Sequence, residues 1–344
     1  MKRNNINRRN FLQSATLASG GLAIAQTAIA HQTQTPNGAS GLPREVWIAG
    51  VSLMSMEAET SALLIDQVFE ALKQVPVLKP DIVCLPETFP FFNVTEKTTL
   101  QQKVAISVKV LEQFSAFAKK NNCYMICPVY ISERGKTYNA AVLLDRKGTI
   151  IGNYKKIRIT DYEIEMGLTP GPLDPPVFKT DFGIIGIQIC WDIAWNDGWK
   201  SLRKKGAEII FWPSAFAGGK MINAMAWQNK CVVVSCTIKN TAKICDISGE
   251  VITQTGKWTP NFFCSPVNLD KIFVHTWPYV EHFDAILAKY GRKIRITTFH
   301  EEEWSIFESL SPDINLAAIL KDYQIKSYEE YLDYTEAAEI KARG

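Results

Sequence analysis

The chain predicts an α/β layered domain. Short apolar runs rich in branched residues alternate with longer segments whose apolar positions recur at helical spacing, and hairpin signals are interspersed among them. That alternation is the pattern of helices packed on a sheet. At 344 residues and 47% hydrophobic, the chain can bury a sizeable core. Several of the strand-like runs end in a reactive side chain, which is where open α/β sheets place their ligands.

In order, residues 46–53 read as the first strand. Residues 60–74 carry Leu64, Val68, Ala71 and Leu72 on one helical face, closed by Pro76 and Pro80. The run Asp81-Ile-Val-Cys-Leu-Pro-Glu87 reads as a buried strand ending in an acid. Residues 100–120 form an amphipathic helix with Val104, Val108, Leu111, Phe114, Phe117 and Ala118 on one side. A strand follows over 124–131, then a hairpin of 138–145 and 149–154 turning at Lys147-Gly148. The stretch Gly183-Ile-Ile-Gly-Ile-Gln-Ile-Cys190-Trp-Asp192 reads as a central strand buried on both faces. A helix starting near Trp191 would set free N–H groups and a positive helix end beside the Cys190 sulfur, favouring thiolate. Helix over 199–205, strand over 207–212, helix over 221–230, strand over 231–237 and a hairpin over 244–252 complete the alternation. From 281 onward the chain turns charged and aromatic, with a helical stretch near 328–342.

The first thirty residues have a different character. Asn7-Arg8-Arg9-Asn10-Phe11-Leu12 resembles a twin-arginine export motif, followed by a weakly apolar Ala/Gly-rich run and small residues at Ala28 and Ala30. The run is too short for a comfortable membrane span. Export to the periplasm or beyond is therefore expected, with no stable span once the signal is removed. Residues 31–43 are polar with Pro, Gly, Asn and Ser, and read as a linker. The formal charge of +3 owes four positive charges to Lys2, Arg3, Arg8 and Arg9, so the remainder is close to neutral. No nucleic-acid surface is implied.

The eight cysteines are scattered through apolar runs, which argues against a disulfide framework. Cys123 and Cys127 on an extended strand would lie about 13 Å apart, too far to share an ion. Neither a metal site nor a cofactor is expected. Cys190 needs a base and an oxyanion donor. Of the four histidines, His31 falls in the linker and His275, His282 and His300 lie far along the chain, away from the strand ends. Carboxylate and lysine are better placed. Glu87 ends one strand, Lys156 follows another, and Glu87 walled by Phe89, Phe91 and Phe92 would suit a general base. Taken singly, each has a structural explanation: a strand-end acid, a solvated basic edge, a core cysteine.

Leu-Pro-Glu87, Tyr154-Lys-Lys156 and Ile-Cys190-Trp-Asp192 nevertheless occur in order at suitable spacing. Together they resemble the nitrilase superfamily of carbon–nitrogen hydrolases, with its Glu–Lys–Cys triad. The resemblance runs from about Val46 to Ile252 and takes in Tyr138-Asn-Ala-Ala, Gly206-Ala-Glu-Ile-Ile, Trp212-Pro-Ser-Ala-Phe216 and Asp246-Ile-Ser-Gly249. It implies a four-layer α-β-β-α sandwich that forms a homodimer or higher homo-oligomer through its helical layer. The hydrolase domain would span 44–280, and 281–344 would be an extension packing on the core or on a partner. Glu87 would be the general base, Cys190 the nucleophile, and Lys156 with the Trp191 N–H the oxyanion donors. Glu163 would be a fourth polar residue, with Glu165 as its alternative. Trp191, Trp195, Phe91, Trp212 and Phe216 would line an aromatic pocket with Ser214 and Asp192. Asp192 after the Cys-Trp pair resembles amidases and carbamoylases more than true nitrilases, whereas the spacing of Glu163 is that of the nitrilase branch. The substrate expected is a linear amide or N-carbamoyl compound. A nitrile, acyl transfer from the same thioester, and a non-catalytic binding role are the alternatives.

Overall fold

The computed structural model describes residues 41–344. The signal segment expected over 1–30, and the linker as far as residue 40, lie outside the described residues. The elements run β1 (Glu45–Val51), α1 (Ser61–Ala71), α2 (Val75–Leu78), β2 (Ile82–Cys84), α3 (Leu100–Asn121), β3 (Tyr124–Glu133), β4 (Lys136–Leu144) and β5 (Ile150–Lys155). Next come α4 (Asp161–Glu165), β6 (Val177–Lys179), β7 (Ile184–Ile187), α5 (Asn196–Lys204), β8 (Ile209–Ser214), α6 (Lys220–Asn229), β9 (Val232–Thr237), β10 (Lys243–Cys245), β11 (Val251–Gln254) and β12 (Phe262–Asn268). The last part holds β13 (Lys271–His275), α7 (Phe283–Tyr290), β14 (Ile294–Phe299), β15 (Trp304–Ser309), α8 (Leu316–Asp322) and α9 (Tyr328–Arg343).

Two six-stranded sheets carry the fold, ordered β12-β1-β2-β3-β4-β5 and β11-β10-β9-β8-β7-β6. Each has a parallel centre, β1-β2-β3 in the first and β7-β8-β9 in the second. The period-2 alternation of each strand divides its side chains between two cores. Ile48, Ile82, Ile126, Ile187, Phe211 and Val234 meet between the sheets. Ala49, Val83 and Met125 point the other way, onto Leu64 and Val68 of α1 and Phe114 of α3. On the far side, Ile210, Trp212 and Val233 pack on Trp199 and Leu202 of α5 and Ile222 of α6. The layers are thus α-β-β-α, as the resemblance implies.

Helix α3 starts at a capping box, Thr99 accepting from the Gln102 N–H and Gln102 accepting from the Thr99 N–H. Its buried stripe is Ser107, Val110, Phe114 and Ala118, so Val108, expected inward, is exposed. The Ser107 hydroxyl explains the shift: it satisfies the Tyr130 N–H of the adjoining strand, at 3.2 Å, from within the buried face.

The C-terminal part begins earlier than residue 281. A third sheet, β13-β15-β14, starts at Lys271 and has its own core around Val274, Phe283, Ile286, Phe307 and Ile319. Its charges fall on exposed and buried positions alike, Arg295 exposed and Glu308 buried against Asn268 and Lys271, so no period-2 signal marks these strands. The expected helical stretch near 328–342 is α9, capped by Ser327 and Glu330. Among the described residues no helix is long and apolar enough to cross a membrane.

Candidate active site

The polar centre is assembled from the ends of strands in both sheets. Glu87 stands three residues past β2, and the next residue, Thr88, has φ +37°. Cys190 stands three residues past β7 and itself has φ +48°. Both are left-handed non-glycine positions, a conformation that costs free energy and collects at functional sites. Lys156 directly follows β5, Asn139 lies within β4, and Ser214 ends β8.

Lys156 is 2% exposed, and its Nζ donates to Glu87 Oε1 and to Glu163 Oε2, each at 2.8 Å. Burial alone would push the Lys156 ammonium pKa down. Glu87, the Cys190 sulfur and Glu163 outweigh it and hold the pKa above its ordinary value, so the group is a fixed cation. The second oxygen of Glu87 accepts from the Ala215 N–H at 2.8 Å. Asn139 Nδ2 donates to Glu87 Oε1 at 2.8 Å and to Glu163 Oε1 at 2.7 Å. Burial raises the Glu163 carboxyl, but Lys156, Asn139 and the Thr160 N–H together leave it below its ordinary value. Glu163 also closes the capping box of α4 with Thr160. Its alternative, Glu165, is exposed.

Glu87 therefore sits in a shell of N–H donors rather than behind a phenylalanine wall. Phe89 is core against Phe114, and Phe91 leans on Tyr130, ring centres 5.4 Å apart.

Burial pushes the Cys190 thiol up to about 12, reinforced by the Glu87 charge and opposed by Lys156, the Ala215 N–H and the Ser214 hydroxyl. The resting sulfur is thus a thiol, contrary to the thiolate expected. Burial is the main cause, and the turn supplies no helix end to offset it. No α-helix starts at Trp191: residues Cys190–Ala194 form a short 3₁₀ turn, and α5 begins only at Asn196. The positive helix end is therefore not beside the sulfur. A thiol beside a carboxylate needs that carboxylate to take its proton.

Asp192, expected to face substrate, faces the core. It is 1% exposed and accepts from the Tyr154 hydroxyl at 2.6 Å, the Ile189 N–H at 2.8 Å and the Arg158 N–H at 2.7 Å. It staples the strand before Cys190 to the segment after Lys156. Burial lifts its carboxyl from 3.8 to about 6, against the pull of Tyr154, Ile189 and Arg158. The folded chain holds this proton more tightly than the unfolded chain, so the contribution of Asp192 to stability is greatest in acid and declines as pH rises through about 6. Asp192→Asn offers an N–H where a donor already points, and we expect it to cost about 2 to 4 kcal/mol. Urea unfolding should show a larger loss at about pH 5 than at about pH 8; the opposite order would contradict the raised carboxyl.

The aromatic residues do not form one wall. Trp191 and Trp195 are 44% and 38% exposed and meet edge to face at 5.9 Å, beside the nucleophile turn. Arg158 lies over Trp195. Phe216 is half-buried, edge-on to Trp212, whose Nε1–H donates to the Cys190 carbonyl at 2.9 Å. Ser214 is buried, and its hydroxyl accepts from the Phe216 N–H at 3.0 Å.

Sequence reasoning missed Asn139, Tyr154 as the Asp192 partner, and the Ala215 N–H. Asn139 had a signal: it is a lone amide opening the buried apolar run of β4. A backbone donor such as Ala215 leaves none.

Similarity to known proteins agrees with this geometry. Residues 19–272 match the carbon-nitrogen hydrolase family. A deaminated glutathione amidase of Synechocystis sp. is 29% identical over 224 residues, which cover 56% of this chain and 81% of that protein. The human deaminated glutathione amidase is 30% identical over 194 residues, 48% of this chain and 57% of that one. Among solved structures, an amidase from Nesterenkonia sp. superposes with a TM-score of 0.59 at 16% identity, covering 68% of this chain and 94% of that one. A carbon-nitrogen hydrolase from Helicobacter pylori gives 0.57 at 18% identity, covering 72% and 94%. These structural likenesses are of fold. With a family match across most of its length and the nitrilase layering in its structure, the chain belongs to the carbon-nitrogen hydrolase family.

Proposed function

We propose that the protein hydrolyses a small linear amide or N-carbamoyl compound through a thioester on Cys190, releasing ammonia or an amine. The observation that carries this is the buried Lys156 ammonium held between Glu87 and Glu163, with the Cys190 thiol within the field of both Glu87 and Lys156. Glu87 takes the Sγ proton as sulfur bonds to the carbonyl carbon. The oxyanion that forms is met by the one Lys156 N–H not donated to a carboxylate and by the Trp191 N–H, which has no acceptor among the described residues. Glu87 returns the proton to the leaving nitrogen, and the carbon–nitrogen bond breaks. Water then attacks the thioester, giving up a proton to Glu87; the acid departs and the thiol is restored. Glu163 holds Lys156 in place throughout.

The amidase names of the relatives favour an amide over a nitrile and over acyl transfer. Ammonia release across amides, N-carbamoyl compounds, nitriles and deaminated glutathione tests the reading. Turnover of nitriles alone would overturn it. Export by the twin-arginine route is part of the proposal, supported by residues 7–12. It predicts that Arg8→Lys with Arg9→Lys retains the protein in the cytoplasm, and an unchanged location would refute it. A homodimer through the helical layer completes the reading, and sedimentation at micromolar concentration checks it.

A further inference from the structure

Asn139 does something that neither the triad nor the family match assigns. It is 2% exposed, and its side-chain amide gives one N–H to each of two carboxylates, Glu87 and Glu163. Lys156 bridges the same two carboxylates from its own side. The four residues form a closed ring, with the ammonium and the amide at opposite corners. The orientation of the amide is fixed, because turning it over would set Oδ1 against both acids. Oδ1 is itself buried with no donor, a cost the site accepts in order to aim both N–H groups at the acids.

The scaffold explains why this residue can act as the anchor. Asn139 lies inside β4, and its carbonyl accepts the Lys156 N–H at 2.9 Å, so the amide and the lysine are neighbours on one sheet. Glu87 sits on a strained turn and Glu163 on a five-residue helix. Neither acid is on a strand. The chemistry also selects an amide. A second cation would neutralise the base that must take the Cys190 proton, and a hydroxyl has only one donor for two acids.

We infer that Asn139 is a positioning residue that ties Glu87 and Glu163 to the rigid sheet on either side of Lys156. This rests on the reading of Glu87 as the base for Cys190. The charged and titratable groups around the ring are Glu87, Glu163, Lys156 and Cys190, with Tyr130 beside the acids and Asp192 beyond Lys156.

The test uses Asn139→Asp and Asn139→Ser in the full chain. It reads kcat and KM for an amide, and the pH profile of Cys190 alkylation by iodoacetamide. N139D keeps the shape but places a third carboxylate on one ammonium, so the cluster takes up a proton. The acid limbs of kcat/KM and of alkylation should both move up by about one pH unit or more. N139S should lower kcat by about tenfold or more and leave KM within about threefold, because both Asn139 N–H groups are given to the two acids. Parent-like acid limbs in N139D, or a loss in N139S confined to KM, would overturn the inference. So would failure of both variants to fold while Glu87→Gln folds, since Asn139 would then serve the fold alone. An alkylation profile unchanged in E87Q would instead overturn the base assignment, separating the two failures.

Discussion

Cys190→Ala will fold as the parent does and lose amide hydrolysis by roughly 10⁴-fold or more. The fold should survive because Cys190 contributes little packing that alanine cannot replace. Its main structural bonds come from the backbone, through the carbonyl that accepts from Trp212 and the turn stapled by Asp192. The activity should not survive, because no other cysteine can substitute. The other seven lie in core or strand positions, and Cys84, Cys127 and Cys231 are fully buried with thiols pushed up by burial. Alanine should also leave the charge balance of the resting site intact. The resting thiol is uncharged, so its removal leaves Lys156 paired with Glu87 and Glu163, and the ammonium should stay protonated. Urea unfolding and ammonia release on the same preparation check both halves.

Glu87→Gln should lower kcat by about 10² to 10⁴-fold with a smaller effect on KM. Glutamine has the right size but the wrong hydrogens. Glu87 Oε1 accepts from Lys156 and Asn139, and Oε2 from the Ala215 N–H, so a side-chain NH₂ must face a donor on one side or the other. The proton of a thiol pushed up to about 12 then has no acceptor. Alkylation of Cys190 by iodoacetamide should slow in parallel near neutral pH. An E87Q enzyme with parental kcat would remove Glu87 from the proton path.

The strands were legible as short branched apolar runs buried on both faces and their helices as amphipathic stretches, while the four-layer stacking followed from the family resemblance. Ile48 with Ala49, or Ile210 with Phe211, divides each strand between two cores. Glu87, Lys156 and Cys190 were legible as strand-end residues set in ordered motifs. Three features were not. The C-terminal sheet shows no period because its charges fall on exposed and buried positions alike, Arg295 and Glu308. The turn at Cys190 begins with a left-handed residue, which helix-start signals do not describe. Asp192 read as a substrate-facing acid because sequence gives no direction to a side chain. Its three donors come from 34 to 38 residues upstream and from the turn itself. This also changes what the Cys-Trp-Asp motif says about substrate. An acid of that length is needed to reach Ile189, Tyr154 and Arg158, so its identity reports the turn geometry rather than contact with the acyl group.

The most direct measurement is the intact mass of the protein, quenched in acid while turning over an amide, followed by peptide mapping. The account requires one acyl group per chain, found only on the Cys190 peptide among eight cysteines, with an equal burst of ammonia and no adduct in Cys190→Ala. Ammonia release that persists in Cys190→Ala, or an acyl group carried on a different cysteine, would contradict it.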